Sequence, residues 1–147
     1  MKPFLLMAVA AIFSSVSMAH GNIQTLDKVD AAKFVGTWYR IAGNPVIFEP
    51  GCSCAPQVLT PNSDGTVAVY NSCNSAKTGK LIEIRGTAEA ADSSESKFSI
   101  DFGLPWKGQY WVVAVDSEYR YAAVTDSFGY SLCILSRTPE LSADLYS

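Results

Sequence analysis

The chain has 147 residues, of which 48% are hydrophobic and 17% are charged, which predicts one globular domain and excludes a disordered chain, a repeat array or a second large core. Eleven lysine and arginine residues against fourteen acidic residues give a net charge of −3. Since no basic cluster accompanies that charge, binding to nucleic acid is excluded as well.

The first nineteen residues have the pattern of a secretory signal peptide. Lys2 supplies a cationic start, residues 4–13 form an apolar run, and the small-x-small pattern of a cleavage site ends at Ala19. A retained membrane anchor is the alternative, but the run is shorter than the roughly 20 apolar residues that a spanning helix needs, and no later segment reaches that length. The residue directly after Ala19 is not a cysteine, so the predicted cleavage site lacks the residue to which a lipid would be attached. We therefore expect a secreted or periplasmic, soluble protein whose mature domain comprises residues 20–147.

Alternation of apolar and polar residues dominates the mature chain, and turn residues interrupt it every eight to twelve positions. A single short helical turn is predicted at residues 30–34. The turn at residues 61–65, Pro-Asn-Ser-Asp-Gly, predicts a hairpin. The predicted strands are residues 35–42, 54–60, 66–73, 81–90, 97–102, 109–115, 121–125 and 130–136. Eight strands with short connections favour an all-β fold, an antiparallel up-and-down β-barrel whose interior can hold one small ligand and whose closure removes exposed edges.

The cysteines of the mature chain are Cys52, Cys54, Cys73 and Cys133. An even number in an exported protein favours disulfides, with three possible connectivities. If residue numbers summing to about 126 face each other across the predicted hairpin, Cys73 lies opposite Ser53, within reach of Cys52 or Cys54. A Cys-x-Cys pair is too close for the usual zinc spacing, and the only histidine is at position 20. We expect no metal and no cofactor.

Three motifs resemble those of the lipocalin family. Residues 34–42, Phe-Val-Gly-Thr-Trp-Tyr-Arg-Ile-Ala, resemble its Gly-x-Trp opening motif, and residues 119–126, Tyr-Arg-Tyr-Ala-Ala-Val-Thr-Asp, resemble its middle motif around a Thr-Asp pair. Residues 130–139, Tyr-Ser-Leu-Cys-Ile-Leu-Ser-Arg-Thr-Pro, resemble its last barrel strand with an Arg-x-Pro ending. Together the motifs cover nearly all of the mature chain, and they are closest to the bacterial and apolipoprotein D-like branch.

The resemblance implies structural roles for Gly36, Trp38, Asp126 and Arg137. In the family the tryptophan plugs the closed end of the barrel, and the arginine lies across its indole as a cation–π contact, next to the glycine. Function is therefore expected in the cavity and at the open end. Members of this branch continue into a long helix, whereas only residues 140–147 remain here. A barrel face left bare by that short helix would favour a homodimer.

Period two also predicts the lining of the cavity. If Trp38 points inward, Arg40 and Ala42 share its face, and Cys133 shares the face of Arg137. On the sixth predicted strand the inward set is either positions 110, 112 and 114 or positions 111, 113 and 115, and the first set is favoured; one β-bulge would exchange the faces. The predicted cavity-lining residues are Arg40, Ala42, Tyr110, Val112, Val124 and Cys133.

Two functions remain. The resemblance implies a non-catalytic protein that binds or transports a small hydrophobic ligand in the barrel, with a fatty acid or lysophospholipid favoured. An inward Arg40, where related sequences commonly carry an acid, needs a carboxylate, the acidic head of a ligand or water at the mouth. The alternative is a lipid-modifying enzyme that uses the thiol of Cys133. Because no interior histidine or pair of carboxylates accompanies that thiol, we expect no enzyme.

Overall fold

The computed structural model describes residues 22–44, 52–53 and 56–140. The predicted signal peptide, Cys54 and the end of the chain after residue 140 lie outside the described residues. The described elements are α1 (Ala31–Phe34), β1 (Gly36–Gly43), β2 (Cys52–Ser53), β3 (Pro56–Pro61), β4 (Val67–Ser75), β5 (Leu81–Ala90), β6 (Lys97–Asp101), β7 (Gly108–Val115), β8 (Tyr121–Thr125) and β9 (Cys133–Ser136).

The strands form a closed antiparallel barrel. Around the barrel the order is β4-β3-β1-β9-β8-β7-β6-β5, and β5 pairs with β4 to close the ring. The short strand β2 also pairs with β4, beyond the end of β3, so β2 and β3 together occupy one position in the ring. The predicted eight-stranded barrel with almost no helix is confirmed.

The two ends of the barrel differ. Because neighbouring strands are antiparallel, the β3–β4, β5–β6 and β7–β8 connections lie at the end where β1 begins, together with α1. We call this the closed end. The β1–β2, β4–β5, β6–β7 and β8–β9 connections lie at the opposite end, which we call the mouth. Asp30 caps α1 by accepting a hydrogen bond from the Lys33 amide at 3.3 Å, which fixes the predicted helical turn.

The hairpin between β3 and β4 has a different register from the one predicted. The Asn62 amide donates to the Thr66 carbonyl at 2.8 Å, so the turn lies one residue later than residues 61–65. Opposite residue numbers consequently sum to 128 between β3 and β4, and Ser53 on β2 lies opposite Asn74. The predicted pairing of Ser53 with Cys73 is therefore wrong by one residue.

Two β-bulges change which side chains face the interior. On β1, Arg40 pairs with Leu135 while Ala42 pairs with Ile134, so Ile41 is the extra residue. On β7, a second irregularity lies between Val112 and Ala114. Since one inserted residue exchanges the two faces of a strand, each bulge turns the rest of its strand over.

Candidate functional site

Trp38 and Arg137 pack against each other at the closed end. Trp38 is fully buried, its indole donates to the Phe34 carbonyl at 2.7 Å, and the Arg137 guanidinium carbon lies 3.7 Å from the ring centroid. Arg137 donates to the carbonyls of Thr37 at 3.0 Å, Lys33 at 2.6 Å and Tyr119 at 3.0 Å. Burial lowers the pKa of this guanidinium. One side chain thus ties β1, α1 and the β7–β8 turn together across the indole.

Gly36 makes this arrangement possible. Its φ is +101°, a backbone conformation that side chains disfavour, and a Cβ there would lie 3.3 Å from Nη1 of Arg137. Gly36 therefore provides both the backbone turn into β1 and the space for the guanidinium.

An apolar cavity of about 30 Å³ lies inside the barrel near the closed end. Its walls come from α1 and from five strands, and the phenol of Tyr110 is the one polar side-chain group among the residues that line it. The lining residues are Ala31, Phe34, Val35, Leu59, Val67, Val69, Ala88, Phe98, Ile100 and Tyr110. A single water molecule occupies about 10–15 Å³ of such a cavity, so this cavity is too small for a lipid chain. A lipid chain enters only if lining side chains move.

The phenol of Tyr110 reaches across the barrel to the opposite wall. Its hydroxyl donates to Oε1 of Gln57 at 2.9 Å, and its ring meets that of Phe34 edge-on at 6.4 Å. Burial raises the pKa of the phenol well above its usual range, and the neighbouring Cys133 adds to the rise. Asn71 pairs with Gln57 in the sheet, and its Oδ1 is buried without a hydrogen-bond partner among the described residues.

The predicted cavity residues fall into two groups. Register places Arg40, Val112, Val124 and Cys133 on the same inner face, because Arg40 pairs with Leu135, Cys133 with Val124, and Val124 with Val112. Tyr110 shares that face, and of the six predicted residues it alone lines the described cavity. Val112 and Val124 are buried in the core beside it.

Ala42 is placed differently from the prediction. It is exposed and pairs with Ile134, the neighbour of Leu135 on β9, so the bulge at Ile41 turns it away from the face of Arg40. The assignment of Ala42 to the cavity is wrong for this reason. The bulge on β7 acts in the same way, because Ala114 is exposed while Val115 packs against the core.

Arg40 lies between the cavity and the mouth. Its side chain is half-buried, Nη2 donates to the Asn44 carbonyl, and Nε would lie 3.3 Å from a Cβ at Gly43. Gly43 pairs with Cys133 on β9, so the guanidinium lies beside the residues where β9 begins. A positive charge therefore lies between the apolar cavity and the mouth.

The cysteines separate into two states. Cys73 is buried and disulfide-bonded. Cys133 carries a thiol, so its inclusion among the disulfide candidates is wrong. Two strands, β3 and β1, lie between β4 and β9. At about 4.8 Å per strand the two cysteines are separated along the wall by more than the roughly 7 Å Cα distance that a disulfide spans.

Asp126 organises the β8–β9 connection at the mouth. Its carboxylate accepts hydrogen bonds from the amides of Phe128 at 2.7 Å and Tyr130 at 3.2 Å. Burial raises the pKa of this carboxyl, but hydrogen bonds from Ser131, Phe128 and Tyr130 outweigh burial and leave the pKa below its usual value. The aspartate of the Thr-Asp pair thus shapes a loop of the mouth.

Sequence reasoning missed Phe34, Gln57 and Asn71. Gln57 lies two residues from the cavity residue Leu59 on β3, and Asn71 lies two residues from the cavity residue Val69 on β4, so each pair shares one face of its strand. Period two, applied to β3 and β4 as it was to β1 and β7, would have put both amides inside. The two amide side chains, on faces that are otherwise apolar, were the sequence signal that could have predicted polar groups inside the barrel.

Residues 29–147 match the family model described as a lipocalin-like domain. The chain belongs to the lipocalin family. This lipocalin is 31% identical to temperature-induced lipocalin-1 of Arabidopsis thaliana, with 85% of this chain and 72% of that protein aligned. It is 31% identical to the outer membrane lipoprotein Blc of Citrobacter freundii, over 94% of this chain and 81% of that protein. It is 30% identical to rabbit (Oryctolagus cuniculus) apolipoprotein D, over 84% of this chain and 70% of that protein.

Solved structures show the same fold. Insecticyanin from the tobacco hornworm Manduca sexta superposes with a TM-score of 0.68 at 22% identity, covering 84% of the lipocalin and 71% of insecticyanin. Among the described residues of the lipocalin, no helix is long and apolar enough to cross a membrane. The same residues contain no group of three or more potential metal ligands.

Proposed function

We propose that this lipocalin is an exported, non-catalytic protein that binds or carries one small hydrophobic ligand in its barrel. The observation that carries the proposal is the apolar cavity, which lies near the closed end and is lined by nine apolar side chains and one phenol. Burial of apolar ligand surface there supplies about 25 cal/mol per Å². We propose that the ligand enters from the mouth.

The favoured ligand is an amphiphile with an acidic head, a fatty acid or a lysophospholipid. Its tail would fill the apolar cavity beyond Tyr110, and its head would reach Arg40 toward the mouth. A charge-assisted hydrogen bond between a guanidinium and a carboxylate or phosphate suits that position. The six sequence-predicted residues thus reduce to five candidates for ligand contact, which are Arg40, Tyr110, Val112, Val124 and Cys133.

Export rests on the signal pattern of residues 1–19, with cleavage near Ala19 and a mature domain of residues 20–147. A relative whose name describes it as an outer membrane lipoprotein is compatible with an exported chain. The residue directly after Ala19 is His20 and not a cysteine that could carry a lipid, so we propose a soluble form, secreted or periplasmic, rather than a lipid-anchored one.

Catalysis by the thiol of Cys133 is the weaker candidate. A nucleophilic cysteine needs a neighbouring base to remove its proton. Cys133 contributes to raising the pKa of the Tyr110 phenol, which stays protonated at neutral pH. A protonated phenol is no base for the thiol, and we propose a non-catalytic protein.

Native mass spectrometry of the purified mature protein tests the binding proposal. The expected spectrum contains a bound small mass, and a fluorescent fatty acid should bind to delipidated protein and be displaced by lysophospholipid. Ala88→Phe fills the cavity from one of its walls, whereas Ala90→Phe adds the same ring at an exposed position of the same strand. Binding should fall in the first variant and persist in the second. Absence of any bound lipid and equal behaviour of the two variants would contradict the proposal.

A further inference from the structure

Large exposed hydrophobic side chains collect at the mouth. Within the described ranges they lie in, or directly beside, the β4–β5, β6–β7 and β8–β9 connections. We call this set the apolar rim, and its members are Leu81, Ile82, Leu104, Trp106, Phe128, Tyr130 and Leu132. Isolated exposed hydrophobic residues are normal on protein surfaces, but their collection at one end of a barrel marks an interaction surface.

The aromatic members of the apolar rim are held outward. Trp106 is 60% exposed, Phe128 74% and Tyr130 73%. The rings of Phe128 and Tyr130 stack at 6.0 Å with an interplanar angle of 18°, while the amides of both residues donate to Asp126. The loop is thus fixed by its backbone in a form that presents its rings to the surroundings instead of folding them inward.

The charge of the connections also differs between the mouth and the closed end. The described mouth connections, residues 76–80, 102–107 and 126–132, contain three lysines, Lys77, Lys80 and Lys107, and one acid. The closed-end connections, residues 62–66, 91–96 and 116–120, contain five acids and a single arginine. An anionic surface therefore attracts the mouth and repels the closed end.

We propose that the apolar rim and its three lysines dock the mouth of the barrel onto an anionic phospholipid bilayer. Tryptophan and tyrosine favour the interface between acyl chains and headgroups, and lysine favours the anionic headgroups. A second copy of the chain fits this surface less well, because a mouth-to-mouth dimer places the lysines of one copy against those of the other. In the docked orientation the route from bilayer to cavity avoids bulk water. Docking does not depend on which ligand the cavity takes.

The experiment is flotation of the mature protein with vesicles of phosphatidylcholine mixed with phosphatidylglycerol, and with vesicles of phosphatidylcholine alone. We expect flotation with the mixed vesicles, weaker flotation with the neutral ones, and a blue shift of tryptophan emission. Trp106 should dominate that shift, because Trp38 is fully buried and Trp111 is half-buried. Trp106→Ser combined with Phe128→Ser should weaken vesicle binding by about tenfold or more.

A charge pair completes the design. Lys77→Glu combined with Lys80→Glu should abolish the preference for anionic vesicles, whereas Lys33→Glu on α1, exposed at the closed end, should leave it unchanged. Far-ultraviolet circular dichroism shows that each variant is folded, and fatty-acid displacement without vesicles tests ligand binding separately. Failure of the wild-type protein to float with either vesicle type would overturn docking. So would a stable dimer in size exclusion that Trp106→Ser dissociates, because the rim would then be a protein interface.

Discussion

The hydroxyl of Tyr110 donates a hydrogen bond of 2.9 Å to Oε1 of Gln57 across the interior of the barrel. Tyr110 lies on β7 and Gln57 on β3, and four steps separate these strands in either direction around the eight-membered ring. The bond therefore joins opposite walls at the widest separation the barrel offers. It also places a polar contact at the edge of a cavity that is otherwise apolar.

Removing that hydroxyl should destabilise the barrel. Tyr110→Phe preserves the ring and its contact with Phe34 but leaves the half-buried amide oxygen of Gln57 without its donor. We expect a loss of about 1–3 kcal/mol in the free energy of unfolding, the range for a buried polar group left unsatisfied. Urea denaturation measures it, with Tyr130→Phe at the exposed rim as the control. Equal stabilities for the two variants would show that the bond contributes nothing.

Trp38 should be a determinant of stability. Trp38→Ala removes a fully buried indole, its hydrogen bond to Phe34 and the surface on which Arg137 lies. We expect a loss of about 3–5 kcal/mol, as for other large aromatic residues truncated in a core. Thermal melting decides the matter, and Trp106→Ala, at an exposed position, should change stability by no more than about 0.5 kcal/mol. An unchanged melting midpoint for Trp38→Ala would mean that the closed end is not held by this residue.

The Asp126 carboxylate should make stability depend on acid pH. Its folded pKa is below its usual value because hydrogen bonds from Ser131, Phe128 and Tyr130 outweigh the opposing effect of burial. A carboxyl with a depressed folded pKa stabilises the fold above its unfolded pKa, and that stabilisation is lost as the pH falls through the folded pKa. The stability difference between wild type and Asp126→Ala should therefore be largest near neutrality and shrink toward about pH 3.

Urea denaturation at a series of pH values measures this difference. Asp27→Ala, at an exposed position of the N-terminal segment, serves as the matched control. A difference between wild type and Asp126→Ala that stays constant over the whole series would contradict the role given to the Asp126 carboxylate.

The disulfide of Cys73 should be the only one in the mature chain. Cys52 lies opposite Ser75 and Ser53 opposite Asn74, so the same register continued by one residue pairs position 54 with Cys73. We predict a Cys54–Cys73 bond, with two thiols titrated in the denatured, unreduced protein. Peptide mapping identifies the linked pair. Cys73→Ser should lower stability by about 2–5 kcal/mol, whereas Cys133→Ala should leave the linked peptide intact. Four thiols, or a bond to Cys133, would refute the assignment.

The barrel was predictable because each strand alternates strongly and the connections between strands are short. Closure is then expected, since eight such strands leave no edge unpaired. Register was not predictable at the same level. No sequence signal marks the extra residues Ile41 and Val113. Each of them nevertheless exchanges the two faces for the remainder of its strand. Ala42 and Ala114 face away from the cavity for this reason.

The inward-facing residues of the site were predictable only where a strand alternates without a bulge. Period two left two alternative inward sets on β7, and Tyr110 and Val112 of the favoured set precede the bulge and face inward. The contact between Tyr110 and Gln57 depends on the opposition of β7 and β3 in a closed ring, which no local pattern encodes. Likewise, the apolar rim joins loops that are far apart in sequence and meet only because alternate connections share one end of the barrel.

Arg40 should recognise the acidic head of the ligand, an expectation that rests on the proposed binding function. Arg40 shares the inner face with Leu135 and lies toward the mouth, where it also donates to the Asn44 carbonyl. Arg40→Met retains an unbranched side chain of similar length and removes the charge. Fatty-acid affinity should fall by about 1.5–3 kcal/mol, the range for hydrogen bonds to charged groups, while a long-chain alcohol should bind nearly as before.

Displacement of a fluorescent fatty acid, carried out in parallel with both competitors, measures the effect. Arg85→Met on β5 is the matched control, because it removes a guanidinium that lies 4.2 Å from the Tyr70 ring at an exposed position. Its affinities for acid and alcohol should both equal those of the wild type. If Arg40→Met weakens both ligands equally, Arg40 shapes the mouth without recognising an acid. If it weakens neither, the charge at the mouth belongs to the Asn44 loop, and the ligand is held by the apolar cavity alone.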